Sequence, residues 1–313
     1  MKHTLSIIIP VFNESESLQE FTKQLHYILK KNLSAYTYEI IYINDGSTDN
    51  SLHILQIIYK KYPHIKIVSF RKNLGKSTAL NEGFKRATGT IIVTLDADLQ
   101  DDPINIPLLI STLTSGYDLV VGWRKNRHDR FSKVLLSKLF NFTVGMISHA
   151  PLNDFNCGLK VMRKTVAEEI HLYGELHRFI PLLAIKQGFT VTEVPVVHHE
   201  RRYGSSKYGT SRLLSGFFDF LTVLFLDSFN KRPLHFFGLL GSFEIILGIL
   251  FGSYLTVLRF SGETIGNRPL LVLTMLLIIT GMQLISIGLI AEMIVSRSKP
   301  DEKLPIDFQT KHI

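Results

Sequence analysis

The chain has 313 residues, 45% of them apolar and 20% charged, with a formal net charge of +8 and a mean hydropathy of +0.16. That apolar content excludes a disordered or purely polar chain, and its skew toward the C-terminus predicts a water-soluble part followed by a membrane part. One cysteine, Cys157, excludes an internal disulfide framework and a multi-cysteine zinc site, and it fits a reducing compartment, so the soluble part is expected in the cytoplasm. The basic balance suits nucleic acid, anionic headgroups or phosphate-bearing ligands alike and does not choose among them.

The first apolar run, Leu5 to Ile9, stops at Pro10 and meets Asn13, Glu14 and Glu16, so it reads as a short buried strand and not as a secretory signal. Further strands are expected at Tyr38 to Ile43, Ile65 to Ser69, Ile91 to Leu95 and Asp118 to Gly122. Helices are expected near Ser15 to Lys31, Thr48 to Tyr62, Ser77 to Ala87 and Pro103 to Thr114. Continuous apolar strands alternating with amphipathic helices predict an α/β domain with a mostly parallel sheet covered on both faces. Ligands in such sheets sit beyond the carboxyl ends of the strands. Polar clusters fall there after four successive strands: Pro10 to Glu14, Asn44 to Asp49, Arg71 to Lys76 and Asp96 to Asp102.

Phe131 to Ser148 and Ser211 to Phe229 are apolar, begin with basic residues and are interrupted by polar ones, a pattern for interfacial helices or for amphipathic core packing. Leu234 to Leu258 holds Glu244 as its one acid, and Leu270 to Val295 holds Glu292; neither contains Lys or Arg, and both meet the length of a spanning helix. Lys231 and Arg232 precede this hairpin, and Arg297, Lys299 and Lys303 follow it, which predicts a multi-pass inner-membrane protein with both termini cytoplasmic. The expected division is a catalytic-type domain over 1–210, an interfacial helix over 211–232, the hairpin over 233–298 and a cytoplasmic tail over 299–313.

Asp96-Ala97-Asp98 ends a very apolar strand, and alternation aims both carboxylates to one side. A divalent cation held jointly with a nucleotide diphosphate would relieve their repulsion, Gln100 would add a neutral oxygen, and oxygen-only ligands favour Mg2+ or Mn2+ over zinc. Turn and capping roles are the alternative for such aspartates. Asp101, Asp102 and Pro103 read in that way, as an N-cap region with proline at the first helical position. His198-His199-Glu200 has no third ligand at metal spacing and does not read as a transition-metal site.

Three motifs then coincide: Ile9-Pro10-Val11-Phe12-Asn13-Glu14, Asn44-Asp45-Gly46-Ser47-Thr48-Asp49 and Asp96-Ala97-Asp98-Leu99-Gln100-Asp101-Asp102-Pro103. In order and spacing they resemble the signature of the inverting family 2 glycosyltransferases, which use nucleotide-sugar donors. Arg201-Arg202-Tyr203-Gly204-Ser205-Ser206-Lys207-Tyr208-Gly209, just before the hairpin, resembles the R-x-x-G-x-S-K-Y loop of the polyprenyl-phosphate subgroup, which includes dolichyl-phosphate mannose synthases and undecaprenyl-phosphate sugar transferases. The resemblance covers roughly residues 4 to 298.

It implies a GT-A-type nucleotide-sugar-binding domain whose donor site comprises Pro10, Phe12, Glu14, Asp45, Arg71, Lys76, Asp96, Ala97 and Asp98. Phe12 replaces the family's more frequent tyrosine and loses a phenolic hydrogen bond. The metal triad implied is Asp96, Asp98 and Gln100. Arg124, after the fifth strand, is implied in phosphate contact, while Arg127 and Arg130 belong equally well to an interfacial helix. Asp154, in Asp154-Phe155-Asn156-Cys157-Gly158-Leu159-Lys160, matches an acceptor-side loop, either as base or as an orienting group. Arg201, Ser206 and Lys207, joined by Arg178, are implied at the acceptor phosphate, with Arg201 and Lys207 also at the reacting centre.

The implied activity is transfer of one hexose from a UDP- or GDP-sugar to polyprenyl (undecaprenyl) phosphate by a metal-dependent single displacement. The resemblance also leaves room for a homo-oligomer assembled through the hairpins. A processive polysaccharide synthase would carry Gln-x-x-Arg-Trp, whereas the single Trp123 has no such context. A non-catalytic membrane scaffold is opposed by the intact Asp96, Asp98 and Lys207. Nucleic-acid binding is opposed by basic residues that fall at strand ends and membrane flanks without an aromatic-interleaved patch.

Overall fold

The computed structural model describes residues 4–125, 152–200, 202–203, 233–266 and 269–297. Its described residues fall into two compact units, one lying before residue 210 and one holding the two long C-terminal helices. The expected interfacial segments, 131–148 and 211–229, lie outside the described residues, as do Arg127, Arg130, Arg201, Ser206 and Lys207.

The first unit is built on a seven-stranded sheet of order β3-β2-β1-β4-β6-β5-β7. Its strands are β1 (Thr4–Val11), β2 (Thr37–Asn44), β3 (Ile65–Ser69), β4 (Ile91–Thr94), β5 (Leu119–Trp123), β6 (Lys160–Arg163) and β7 (Val191–Pro195). Neighbouring strands run parallel except at β6, which is antiparallel to both β4 and β5. The first five strands match the sequence reading to within two residues at either end. β6 and β7 give no strand signal in the sequence, because β6 has four residues and β7, Val191-Thr192-Glu193-Val194-Pro195, has no buried face and no apolar run.

β1 and β2 are buried along most of their length, as parallel strands covered on both faces require. Helix α1 (Leu18–Asn32) buries Leu18, Phe21, Thr22, Leu25, Ile28 and Leu29, a stripe at helical spacing. The other helices of this unit are α2 (Ser51–Lys61), α3 (Lys76–Arg86), α4 (Ile106–Thr114), α5 (Lys164–Glu169) and α6 (Ile180–Lys186). A 3-10 turn, Pro103–Asn105, precedes α4, where Asp102 accepts a hydrogen bond from the Ile104 amide at 2.9 Å with Pro103 next in the chain. The expected capping role of Asp102 therefore holds.

Register sets the active edge. Val11 pairs with Asn44 and Asn44 with Ser69, while Ile8 pairs with Thr94, so the carboxyl ends of β1 to β4 lie along one border of the sheet. Lys160, the first residue of the reversed β6, pairs with Thr94 and Val121, and Trp123 pairs with Pro195. The loop entering β6 and the segments leaving β5 and β7 thus reach the same border.

The second unit contains α7 (Pro233–Phe260) and α8 (Pro269–Arg297), each long and apolar enough to span a bilayer. Backbone meets backbone at Gly241 and Gly281: a Cβ on either would lie 2.5 or 2.6 Å from the other's carbonyl oxygen. The Thr280 hydroxyl lies 2.7 Å from Glu244 Oε2, and the Leu234 amide donates to Glu292 at 3.2 Å. The two acids that interrupt the apolar runs are therefore engaged within the helix pair, while Leu239, Phe243, Ile249 and Ile279 face outward.

Candidate active site

The loops after β1 and β2 are tied together by Asn13, whose φ of 53° is tolerable for asparagine. Its Oδ1 accepts from the Thr48 amide at 2.7 Å and its own amide donates to Ser47 Oγ at 3.0 Å. The Glu14 amide donates to Ser51 Oγ at 2.9 Å, and the Glu14 carboxylate accepts from Ser17 Oγ at 3.3 Å at the start of α1. Phe12 and Glu14 are both half-buried on this loop.

Asp45 is buried and faces the next loop. Its carboxylate accepts from the Leu74 amide at 2.7 Å, the Gly75 amide at 3.0 Å and Asn73 Nδ2 at 3.1 Å. Burial raises its pKa above the ordinary carboxylate value, and the two amides only partly offset that. Asp45 thus fixes the turn from which α3 starts, and the first residue of α3 is Lys76. Lys76 Nζ reaches Asp96 across the sheet border, 2.6 Å from Oδ1. The basic loop predicted from sequence is accordingly divided: Lys76 is held inward and Arg71 is exposed.

Asp96 and Asp98 are half-buried on either side of buried Ala97, but β4 ends at Thr94, so the motif lies in the loop beyond the strand and strand alternation is not what orders it. Asp98 Oδ1 accepts from the Gln100 amide at 3.2 Å. Between them and Gln100, Leu99 adopts φ 61°, a left-handed conformation that a branched residue rarely accepts and that marks a loop constrained by its surroundings. Gly158 lies so close behind Asp96 that a Cβ there would sit 2.5 Å from Oδ2. The donor set contains oxygen only, and the Lys76 ammonium already stands as a cation against Asp96, so these residues fit a hard divalent ion.

A cleft enclosing about 280 Å³, open space at its mouth included, is lined by Pro10, Lys76, Asp96, Gly158, Lys160 and His177 among others. Lys160 is buried and donates to the Cys157 carbonyl. Burial pulls its pKa down to about 8. Burial likewise pushes the Cys157 thiol up, which leaves it inert. His177 is bonded to Ser77 of α3, Nδ1 to Oγ at 3.0 Å, and this holds the 3-10 turn that carries Arg178. Arg178 pairs with Glu175 at 2.8 Å.

Arg124 and Asp154 form a buried bidentate pair, Nε to Oδ2 at 2.7 Å and an Nη to Oδ1 at 3.0 Å. Burial alone would lower the Arg124 pKa, but the bonds to Asp154 reverse the shift and keep the guanidinium charged. Both side chains are nearly enclosed, at 12% and 3% exposure, so each is the main counter-charge of the other. The loop bearing Asp154 is anchored from β7, where Glu193 accepts the Asn153 and Asp154 amides at 2.8 and 3.2 Å.

Sequence reasoning missed three of these ties: Glu193 to the Asp154 loop, Ser77 to His177, and Asp101 to His198. Asp101 was read with Asp102 as part of a cap, yet it is buried and lies 3.2 Å from His198 Nδ1. Adjacent acids and adjacent histidines were visible in the sequence, but only the placement of β7 on the sheet brings them face to face.

Residues 6–170 match the family model described as glycosyl transferase family 2, and the chain belongs to that family. It is 36% identical over 307 residues to the dodecaprenyl-phosphate galacturonate synthase of Rhizobium johnstonii, covering 96% of this chain and 90% of the relative. It is also 36% identical over 293 residues to the undecaprenyl-phosphate 4-deoxy-4-formamido-L-arabinose transferase of Pseudomonas fluorescens, covering 93% and 84%. Among solved structures, glucosyl-3-phosphoglycerate synthase from Mycobacterium tuberculosis in complex with Mn2+, UDP and phosphoglyceric acid superimposes with a TM-score of 0.57 at 16% identity, over 72% of this chain and 78% of that one. This likeness establishes the GT-A fold expected from the sequence.

Proposed function

We propose that this glycosyltransferase moves a single sugar from a nucleotide diphosphate sugar to polyprenyl phosphate at the cytoplasmic face of the inner membrane. The observation that carries the reading is the extent of the match to the Rhizobium and Pseudomonas enzymes, which runs through the domain and the apolar helix pair alike. A lipid-borne acceptor needs that pairing, because its phosphate is confined to the membrane surface. A hexose derivative is the first donor to test, after the galacturonate synthase, and an aminopentose the second. UDP is favoured over GDP by the nucleotide bound in the Mycobacterium structure.

Phe12, Glu14 and Pro10 would line the nucleoside side of the site, with Asp45 acting one step back by holding the turn that leads to Lys76. Asp96, Asp98 and Gln100 would hold Mg2+ or Mn2+, which, when bound, neutralises charge on the departing diphosphate. Arg71 is exposed and free to meet the donor's phosphates. The lipid phosphate oxygen attacks the anomeric carbon, the bond from that carbon to the diphosphate oxygen breaks, and configuration inverts. A phosphate monoester is already ionised near neutral pH, so the step needs no strong base. That fits Asp154 held as the partner of Arg124, orienting the site instead of accepting a proton. Arg178, Arg201, Ser206 and Lys207 would gather the acceptor phosphate and hold two mutually repelling anions in line.

The test is direct. Purified protein in micelles, given labelled UDP-sugars, Mn2+ and undecaprenyl phosphate, should yield a chloroform-soluble glycolipid that is lost with EDTA and with Asp98→Ala. Transfer that persists in Asp98→Ala would refute the metal assignment. Failure with every donor in the presence of polyprenyl phosphate would refute the acceptor.

A further inference from the structure

The segment that leaves β7 toward Arg201 is bonded repeatedly to the loop that carries Asp96 and Asp98. Val197 and Asn105 exchange two hydrogen bonds: the Val197 amide donates to Asn105 Oδ1 at 3.1 Å and Asn105 Nδ2 donates to the Val197 carbonyl at 3.1 Å. His198 and Asp101 form an antiparallel bridge, and their side chains meet at 3.2 Å with exposures of only 3% and 5%. The His199 amide donates to the Gln100 carbonyl at 2.8 Å, and the His199 ring nitrogen Nε2 lies 3.0 Å from Asp102 Oδ2.

Asp101 has further neighbours. Cys157 Sγ lies 3.9 Å from each of its oxygens, and a Cβ on Gly158 would lie 3.1 Å from Oδ2. One buried carboxylate therefore touches the donor-side loop, the Asp154 to Lys160 loop and the chain leading to Arg201. Isolated from that context a buried aspartate and histidine would be expensive, so their pairing indicates that the geometry they hold is specified.

We propose that the His198–Asp101 and His199–Asp102 pairs, with the Asn105–Val197 exchange, form a latch that fixes the chain leaving β7, from Val197 to His199, to the donor-side loop. His198 and His199 are thus positioning residues for the acceptor: the chain they tie to the donor-side loop continues in sequence into the residues proposed for the acceptor phosphate. In each pair the carboxylate accepts from the ring nitrogen that faces it, Nδ1 of His198 and Nε2 of His199. This inference deepens the transfer reading and rests on it for the identity of the acceptor.

The experiment uses the full-length protein in micelles. His198→Leu should raise KM for undecaprenyl phosphate at least tenfold while binding of UDP with Mn2+, measured without acceptor, stays within twofold. His198→Asn, which keeps a donor near Asp101, should recover most of the loss. His199→Leu, on the exposed rung where the core is not at risk, should raise the acceptor KM about threefold. Hydrogen exchange at the His199 amide should accelerate at least tenfold in His198→Leu, with the amides of β4 unchanged. An acceptor KM that stays put, or nucleotide and acceptor affinities that fall by the same factor, would overturn the latch. Should wild-type protein bind UDP yet make no glycolipid, the transfer reading fails, and the exchange of the His199 amide still decides whether the latch exists.

Discussion

Lys76 Nζ lies 2.6 Å from Asp96 Oδ1 and 2.7 Å from Oδ2, bridging both oxygens of the first carboxylate in the Asp96-Ala97-Asp98 motif. An ammonium in that place competes with any metal ion for Asp96. Two unit charges 4 Å apart at a partly exposed site interact by up to about 4 kcal/mol, of which solvent screening leaves about 1. Lys76→Met should therefore tighten binding of Mn2+ alone by roughly fivefold while sugar transfer at saturating metal falls about tenfold, because a cation proposed for the donor side of the site is then missing. Titration calorimetry with Mn2+ checks the first part and radiolabel transfer the second. Weaker Mn2+ binding in this variant would show that Lys76 is not a competitor.

Gly158 supplies the space that Asp96 occupies. Since a Cβ would strike the end of the half-buried Asp96 side chain at 2.5 Å and press less closely on buried Asp101, at 3.1 Å, Gly158→Ala should leave the backbone in place and push Asp96 off Lys76. The expected result is a melting temperature within about 2 °C of wild type, as for a change well under 1 kcal/mol, together with a loss of kcat/KM of about tenfold or more. A variant with full activity would show that Asp96 does not need its observed position.

The Arg124–Asp154 pair makes a different prediction, because removing one partner strands a buried charge. Arg124→Met or Asp154→Leu alone should destabilise the domain by about 3–5 kcal/mol, whereas the double variant should regain most of that stability. Activity should stay low in all three. Chemical denaturation of the single and double variants measures the coupling, and additive losses would mean that the pair is not the structural unit described.

How much of this was legible beforehand follows from the length scale of each signal. The first five strands and the two long apolar helices announce themselves through unbroken apolar runs such as Ile7-Ile8-Ile9, and the polar clusters follow directly because they sit at strand ends. β6 was hidden in Lys160-Val161-Met162-Arg163, four residues whose strand character depends on Ile91 to Thr94 and Leu119 to Val121 on either side. The polar clusters at the strand ends are legible from local pattern, but the partners of their side chains are not. Whether Arg124 faces a phosphate or Asp154, and whether Asp101 caps a helix or meets His198, depends on contacts between positions 30 and 97 residues apart. Local pattern carries no information about those.

Stability at acid pH should depend on Glu39, at the far border of the sheet. Burial alone would raise its pKa, but the ion pair with Lys66 at 2.6 Å and hydrogen bonds from Ser6 and Thr88 outweigh it and hold the carboxyl down at about 2. The folded-state pKa lies below the unfolded value of 4.5, so the unfolded chain binds protons first. The stabilisation is fully present above about pH 5 and is lost progressively as pH falls from 4.5 toward 2. Glu39→Gln should cost about 1.5–3 kcal/mol at pH 7, the range for hydrogen bonds to a charged group, and should flatten the decline between pH 5 and 3. An unchanged acid slope in that variant would assign the decline to other carboxylates.

The helix pair offers a test independent of catalysis. In hydrocarbon, helices gain little from excluding water, so their association relies on close packing and interhelical hydrogen bonds. Gly281 permits the close approach: a Cβ there would meet the Gly241 carbonyl oxygen at 2.6 Å and Ile245 Cγ1 at 2.7 Å, and backbone cannot give way as a side chain can. Gly281→Leu should force α7 and α8 apart, break the contact between Thr280 and Glu244, and lower stability in micelles by about 1–3 kcal/mol, as overpacking does. Thr280→Val, which removes the hydroxyl alone, should lower it by about 1 kcal/mol, and Thr280→Ser should stay near wild type. Thermal denaturation in one detergent ranks the three; equal midpoints for Gly281→Leu and wild type would mean that the helices do not meet at this glycine pair.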